Sequence, residues 1–311
     1  MTNAYQALSD PFEERYDVAV PGGSLHVARA GARPEDARCL VLAIHGVTAS
    51  LMTWRTVARE LADRDDVCVL APDLRGRGRS ATLPGPYGIA THVSDLLAVL
   101  DHVGAPRAVL VGHSLGAYVG ARLAAEHPGR TAALVLLDAG LPLPAPSDPG
   151  DLLHTSMDVT LMRLAITFPS ADAYVAGWHA HPAFSRAWND DIDAYARYDM
   201  VEEDRLARCS ASPDAVRTDS TEMVVDDETR LALDRVAAEG CVQLLRAERG
   251  LFDDTEDPLI PAGVLRAFAA KHPEVRVEEV AGVNHYTLVM GKSPGPARVA
   301  AAIGAACRPC R

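Results

Sequence analysis

The chain has few aromatic residues, 5% of 311, and no basic run longer than the alternation Arg75, Arg77, Arg79. With a formal net charge of −12, that lack argues against nucleic acid or an anionic membrane surface as partner, because phosphate binding needs clustered Lys and Arg. No stretch approaches the roughly 18 uninterrupted apolar residues of a membrane span. The opening segment MTNAYQALSDPFEERYDVAV has neither the basic start nor the apolar stretch of a secretory signal, so none is expected.

Metal-ligand spacing is missing too. Of the cysteines Cys39, Cys68, Cys209, Cys241, Cys307 and Cys310, only Cys307 and Cys310 form a C-x-x-C pair, and no second pair completes a zinc site. Cys39, Cys68 and Cys241 lie in apolar runs, where a thiol behaves as a small hydrophobe. The expectation is a reduced cytoplasmic protein, an incidental tail pair, and no metal or cofactor.

What is present is a core. Hydrophobic residues make up 48% of the chain, enough to bury a large interior. Residues 14–30 alternate across a Pro-Gly-Gly break and predict a β-hairpin. Continuous apolar runs follow at CLVLAIHG, VCVLAP, AVLVG and AALVLLDAG, as buried parallel strands would read. Between them lie segments of helical periodicity, WRTVARELADR and ATHVSDLLAVLDHVG, the second closed by Gly104. This alternation predicts a mostly parallel sheet flanked by helices.

The alternation stops after Gly140 at the proline-rich LPLPAPSDPG. From there to about Glu239 the pattern is helical, without a buried strand, and the aromatics are concentrated here. The sheet pattern then resumes with CVQLLRA, the helix PAGVLRAFAAKH, the strand VRVEEVAG and a last helix from about Pro296. The expected organisation is a core domain of residues 1–140 and 239–311, with a helical insertion at 141–238.

Within this framework GHSLG matches Gly-x-Ser-x-Gly at Gly112, Ser114 and Gly116, after a strand and before a helix. A nucleophile on such a turn needs glycines where a Cβ would clash, and the helix N-terminus offers N–H groups to a developing oxyanion. His45-Gly46 closes an earlier strand, which makes Val47 and Leu115 the expected oxyanion donors.

Taken together, His45-Gly46, DLRGRGRS (Asp73 to Ser80), GHSLGA and Asn284-His285 resemble the α/β-hydrolase superfamily. The resemblance implies that the insertion is a lid or cap that shapes the substrate pocket, and that the loop after the last buried strand carries the catalytic histidine. Of 11 histidines, His285 has that position.

The acid is ambiguous. In the superfamily it usually follows the strand CVQLLRA, but Gly250 occupies the expected place, and Asp253, Asp254 and Asp257 come later. Asp138, at the end of LVLLD, matches members that carry the acid one strand earlier, including pancreatic-type lipases and polyketide-synthase thioesterase domains. A strand-end Asp in an apolar run meets the need for a buried, ionised partner better than an acid in a Gly-containing loop. Asp138 is the first choice, and Asp257 and Asp253 are the alternatives.

These residues imply acyl transfer on a small-molecule ester or lactone by a Ser-His-Asp triad. A thioesterase or cyclase releasing an acyl chain from a carrier, and a ligand-binding member without turnover, are the alternatives. His45, Trp178, Trp188 and Tyr286 are candidate pocket residues. The loop 73–80 is read as structural, with no chemical role.

Overall fold

The computed structural model describes residues 10–142, 161, 164–238 and 241–308. An eight-stranded sheet runs in the order β1-β2-β4-β3-β5-β6-β9-β10. Strands β1 (Glu14–Val20) and β2 (Gly23–Gly31) form an antiparallel hairpin at one edge. Strands β3 (Cys39–Ile44), β4 (Val67–Pro72), β5 (Ala108–His113) and β6 (Thr131–Leu137) are parallel neighbours. Strands β9 (Val242–Arg249) and β10 (Arg276–Asn284) continue the parallel run.

Every residue of β4 and β5 is buried. Their Val, Leu and Ala side chains serve both faces of a covered sheet, which is why these strands read as unbroken apolar runs. The faces are covered by α1 (Arg55–Glu60), α2 (Ile89–His102), α3 (Leu115–Glu126), α9 (Ala262–Lys271) and α10 (Gly295–Ala306), numbering helices in chain order. Strand order reverses about β3, with β4 on one side and β5 on the other. In an open α/β sheet the crevice beyond the strand ends at such a reversal is where ligands bind.

Between β6 and β9 the described chain forms α4 (Ala171–His179), α5 (Asp190–Tyr198), α6 (Pro213–Val225), α7 (Asp227–Arg230) and α8 (Ala232–Ala237). It also holds a small antiparallel pair, β7 (Met200–Glu203) with β8 (Leu206–Cys209). The purely helical expectation is corrected here. Arg208 and Glu203 pair across these strands, and the polar outer residues masked the short alternation.

Most insertion aromatics serve packing. Phe184 and Tyr195 are buried in the cluster that also holds Trp54, Leu137 and Leu288 of the sheet domain, and Trp178 meets both rings edge-on. Trp188 is half-buried against His179 and Phe184.

The cysteine expectation is also corrected. Cys39 and Cys307 form a disulfide across a sequence separation of 268, and Cys241 is disulfide-bonded as well. Cys39 opens β3 and Cys307 follows the last turn of α10, and their Cα atoms stand 5.5 Å apart, within normal bridging range. Disulfides persist chiefly in oxidising compartments, so the cysteines no longer support a cytoplasmic setting. Cys310 lies outside the described residues. Among those described, no helix is long and apolar enough to cross a membrane.

Candidate active site

Ser114 occupies the turn from β5 into α3 with φ 56° and ψ −123°, a backbone state that non-glycine residues adopt only under strain. The chain tolerates it because two glycines permit close approach. A Cβ on Gly112 would stand 2.1 Å from the Gly116 carbonyl oxygen, and one on Gly116 would stand 2.0 Å from that of Ile44. The head of α3 is thereby pressed onto the end of β3, and Leu115 leads the helix with a first-turn N–H that has no intrahelical acceptor.

Beyond β3 the turn 45–47 lies against the same serine. A Cβ on Gly46 would be 3.1 Å from Ser114 Cβ. His45 is fully buried: its Nδ1–H donates to the Gly46 carbonyl at 2.8 Å, and its Nε2 accepts from the Leu74 N–H at 2.9 Å. Burial holds its pKa down at about 3, so the ring is neutral. The candidate role of His45 in lining the pocket is therefore corrected, because both ring nitrogens are spent on backbone and none of the ring reaches solvent.

The β10–α10 connection brings His285 to the end of the sheet. Its Nδ1 meets Asp138 Oδ2 at 2.8 Å. Asp138 is wholly buried just past β6, with φ 51°, and its Oδ1 accepts the Ala247 N–H at 3.0 Å. The carboxylate thus has both oxygens engaged, one by β9 backbone and one by imidazole. The Ser114 N–H donates to the carbonyl of Leu137, the residue before Asp138, at 3.2 Å. His113 donates from Nε2 to the His285 carbonyl at 2.9 Å, with the rings 4.4 Å apart. Burial, followed by the proximity of His285, drives the His113 pKa well below the normal value. Ser114, Asp138 and His285 therefore stand at the same end of the parallel sheet, just past β5, β6 and β10.

The other acids lie elsewhere. Asp253 binds Arg249 and the Asn284 side chain. Asp257 is exposed, and the loop folds back so that its carbonyl lies under Gly250. Neither is a partner of His285.

Three residues had gone unassigned. Asn284 accepts the N–H groups of Tyr286 and Thr287 and donates to the Ala183 carbonyl, which locks the histidine loop to the insertion. Arg77 is fully buried, donates from Nε to the Val47 carbonyl at 2.9 Å, and pairs with Asp219 of α6. The available signal was the position of Arg77 within DLRGRGRS; nothing in the sequence linked it to Asp219. Asp73 of the same loop accepts the Leu51 N–H and the Tyr198 hydroxyl.

Tyr286 packs against the rings of His285, His181 and Phe184. Trp178 lines a cavity of about 210 Å³ in the insertion together with Phe168, Tyr174, Gly177, His181 and Cys209.

Residues 40–204, just over half the chain, match the family model described as the α/β hydrolase fold. The chain belongs to that family. It is 43% identical over 119 residues to Lipase LipV of Mycobacterium tuberculosis (strain ATCC 25618 / H37Rv), covering 38% of this chain and 43% of that one. It is 39% identical over 107 residues to the putative carbamate hydrolase RutD of Variovorax paradoxus (strain S110), covering 34% and 40%. The chain thus spans about two-fifths of the length of each relative. Among solved structures, E-2-(acetamidomethylene)succinate hydrolase superposes with a TM-score of 0.72 at 20% identity, covering 94% of this chain and 98% of that one. The thioesterase domain from the curacin biosynthetic pathway gives 0.71 at 20% identity, covering 93% and 98%. At that identity the superpositions speak for the fold alone.

Proposed function

We propose that the protein is a serine hydrolase that cleaves a carboxylic ester through an acyl-enzyme. Ser114 is the nucleophile, His285 the general base and Asp138 the acid, with Val47 and Leu115 as oxyanion donors. The observation that carries this reading is the 2.8 Å contact from Asp138 to His285 Nδ1. A buried carboxylate on Nδ1–H fixes the tautomer that leaves Nε2 as a base and stabilises the imidazolium formed later.

His285 takes the Ser114 hydroxyl proton as Oγ attacks the carbonyl carbon. The tetrahedral oxyanion then rests on the Val47 and Leu115 N–H groups, each worth about 3 kcal/mol in such sites. His285 passes its proton to the leaving alcohol, and water repeats the cycle on the acyl-serine. The insertion is the cap over this site, covering 141–238 between core segments 1–140 and 239–311. The partner is a small-molecule substrate.

A thioester is the second reading, favoured by the position of Asp138 at the end of β6, where the resemblance puts the acid of thioesterase domains. The lipase and carbamate-hydrolase names of its relatives add oxyesters and carbamates to the panel worth assaying.

The test is intact mass after incubation with a small fluorophosphonate. A single adduct at Ser114, lost in His285→Ala, supports an activated serine. Turnover of matched oxyester, thioester and carbamate substrates then ranks the bond. A folded protein that forms no adduct would sink the hydrolase reading and favour a ligand-binding role.

A further inference from the structure

We propose that Arg77 is a positioning residue for the oxyanion donor Val47, and that Asp219 of the cap holds Arg77 in that position. This rests on the hydrolase reading, because it concerns how that site is shaped.

The argument begins with two consecutive carbonyls. In a planar trans peptide the C=O and the following N–H point in opposite directions. The Gly46 carbonyl is tied down by His45 Nδ1–H at 2.8 Å and by the Ala49 N–H at 3.2 Å. The Val47 N–H, on the same peptide, is thereby turned away from His45. The next carbonyl, that of Val47 itself, accepts from Arg77 Nε at 2.9 Å. Both peptide planes flanking Val47 Cα are therefore held by buried side chains, and the donor between them has a fixed direction. His45 and Arg77 are the two anchors.

An arginine can serve here only if its charge is met. Arg77 is wholly buried, and an unpaired guanidinium there would be costly. Its Nη1 lies 2.5 Å from Asp219 Oδ2 and also donates to the Arg75 carbonyl at 2.9 Å. The planar fork uses one edge for the cap carboxylate and its Nε for the oxyanion turn, a division that the point charge of lysine cannot reproduce. Asp219 is buried as well, and its remaining contacts are His92 Nε2 at 2.9 Å and the Gly88 N–H at 3.0 Å. Burial pushes its pKa up, but His92 and Arg77 outweigh that and hold it below the usual carboxylate range. One turn further along α6, Glu222 accepts the Ile89 N–H at 2.6 Å. The cap helix is thus seated on the N-terminus of α2, and from that seat its carboxylate sets Arg77 against Val47.

Asp191 provides a contrast within the same molecule. It is another buried cap aspartate and binds Arg55 and Arg59 of the α1 region at 2.7 and 3.0 Å, with no bond to the oxyanion turn. It measures what losing a cap ion pair does to the fold alone.

The experiment uses the full chain and begins with fluorophosphonate labelling of the wild type. Arg77→Lys, Arg77→Met, Asp219→Asn and Asp191→Asn are then compared for kcat and KM on p-nitrophenyl butyrate, for the inhibition constant of phenylboronic acid, and for melting temperature. Misplacing one oxyanion donor predicts about a 10–100-fold fall in kcat for both Arg77 variants, with KM within about twofold. The boronate, which forms a tetrahedral adduct on the serine, should weaken by a similar factor. Asp219→Asn should shift both in the same direction, whereas Asp191→Asn lowers only the melting temperature. Arg77→Met with wild-type kcat and boronate affinity would overturn the proposal. So would an equal loss of kcat in Asp191→Asn, which would make the effect one of general stability. Absence of a wild-type adduct would overturn the hydrolase reading itself, and this inference with it.

Discussion

The two sides of the candidate site are built differently. On the sheet side, Ser114, Asp138 and His285 stand on separate strand ends, held by ladder register and by glycines that let α3 touch β3. On the insertion side, the apolar packing of Phe184 and Tyr195 is joined by buried aspartates reaching across to arginines: Asp219 to Arg77 and Asp191 to Arg55 and Arg59. Backbone register is all or nothing, whereas ion pairs are graded. Under the proposed function, the sheet side carries the reacting groups and the insertion side adjusts their setting.

Asp138→Asn should give the largest effect that leaves the fold intact. The amide retains an acceptor for the Ala247 N–H but cannot hold His285 in its working tautomer, so kcat should fall by about 10⁴-fold. A rate within tenfold of wild type would remove Asp138 from the triad and break the contrast at its strongest point. Next comes the Arg77 series, whose intermediate fall in kcat separates adjustment from chemistry. Asp191→Asn should cost about 1–3 kcal/mol of stability, because buried Arg55 keeps only its pair with Asp10 and partly buried Arg59 loses its carboxylate, read as a lower denaturant midpoint, with kcat within about twofold.

A smaller effect concerns acid. His45 has a folded pKa of about 3 against an ordinary value of 6.5, so the unfolded chain binds its proton first as pH falls. The stability contributed by neutral His45 is complete above about pH 6.5 and declines below it by about 1.4 kcal/mol per unit. Denaturation at pH 7 and pH 5 should show the loss. His45→Asn should flatten the slope, and an unchanged slope would remove His45 as its source. The smallest effect is local. Ser114→Gly should be about 1 kcal/mol more stable than Ser114→Ala, because glycine accepts φ 56° without strain. Equal midpoints would mean that the elbow stores no such strain.

The sheet side was largely legible in the sequence, and the reason is locality. The run AVLVG, the elbow and the helix after it are contiguous, so residues 108–126 carried their own structural signal. The hairpin was equally clear from its Pro-Gly-Gly break. The carboxylate that meets His285 was legible only as a preference for Asp138 over Asp257 and Asp253, because the two residues are 147 apart and several carboxylates satisfied the same chain order. Long range also hid the insertion's contacts. His92 and Asp219 are 127 residues apart, and an aspartate on a polar helix reads as solvated until the fold buries it. Cys39 looked like a strand hydrophobe because its partner lies at the far end of the chain.

That pairing has a topological consequence. Cys39 and Cys307 close most of the polypeptide into a covalent ring, and Ser114, Asp138, His285 and the whole insertion lie on its circumference. A protease that cuts the ring once, anywhere along it, opens a loop without releasing a fragment. Until the bridge is reduced, the nicked protein remains one molecule of nearly unchanged mass, with Ser114 and His285 still on the same covalent body.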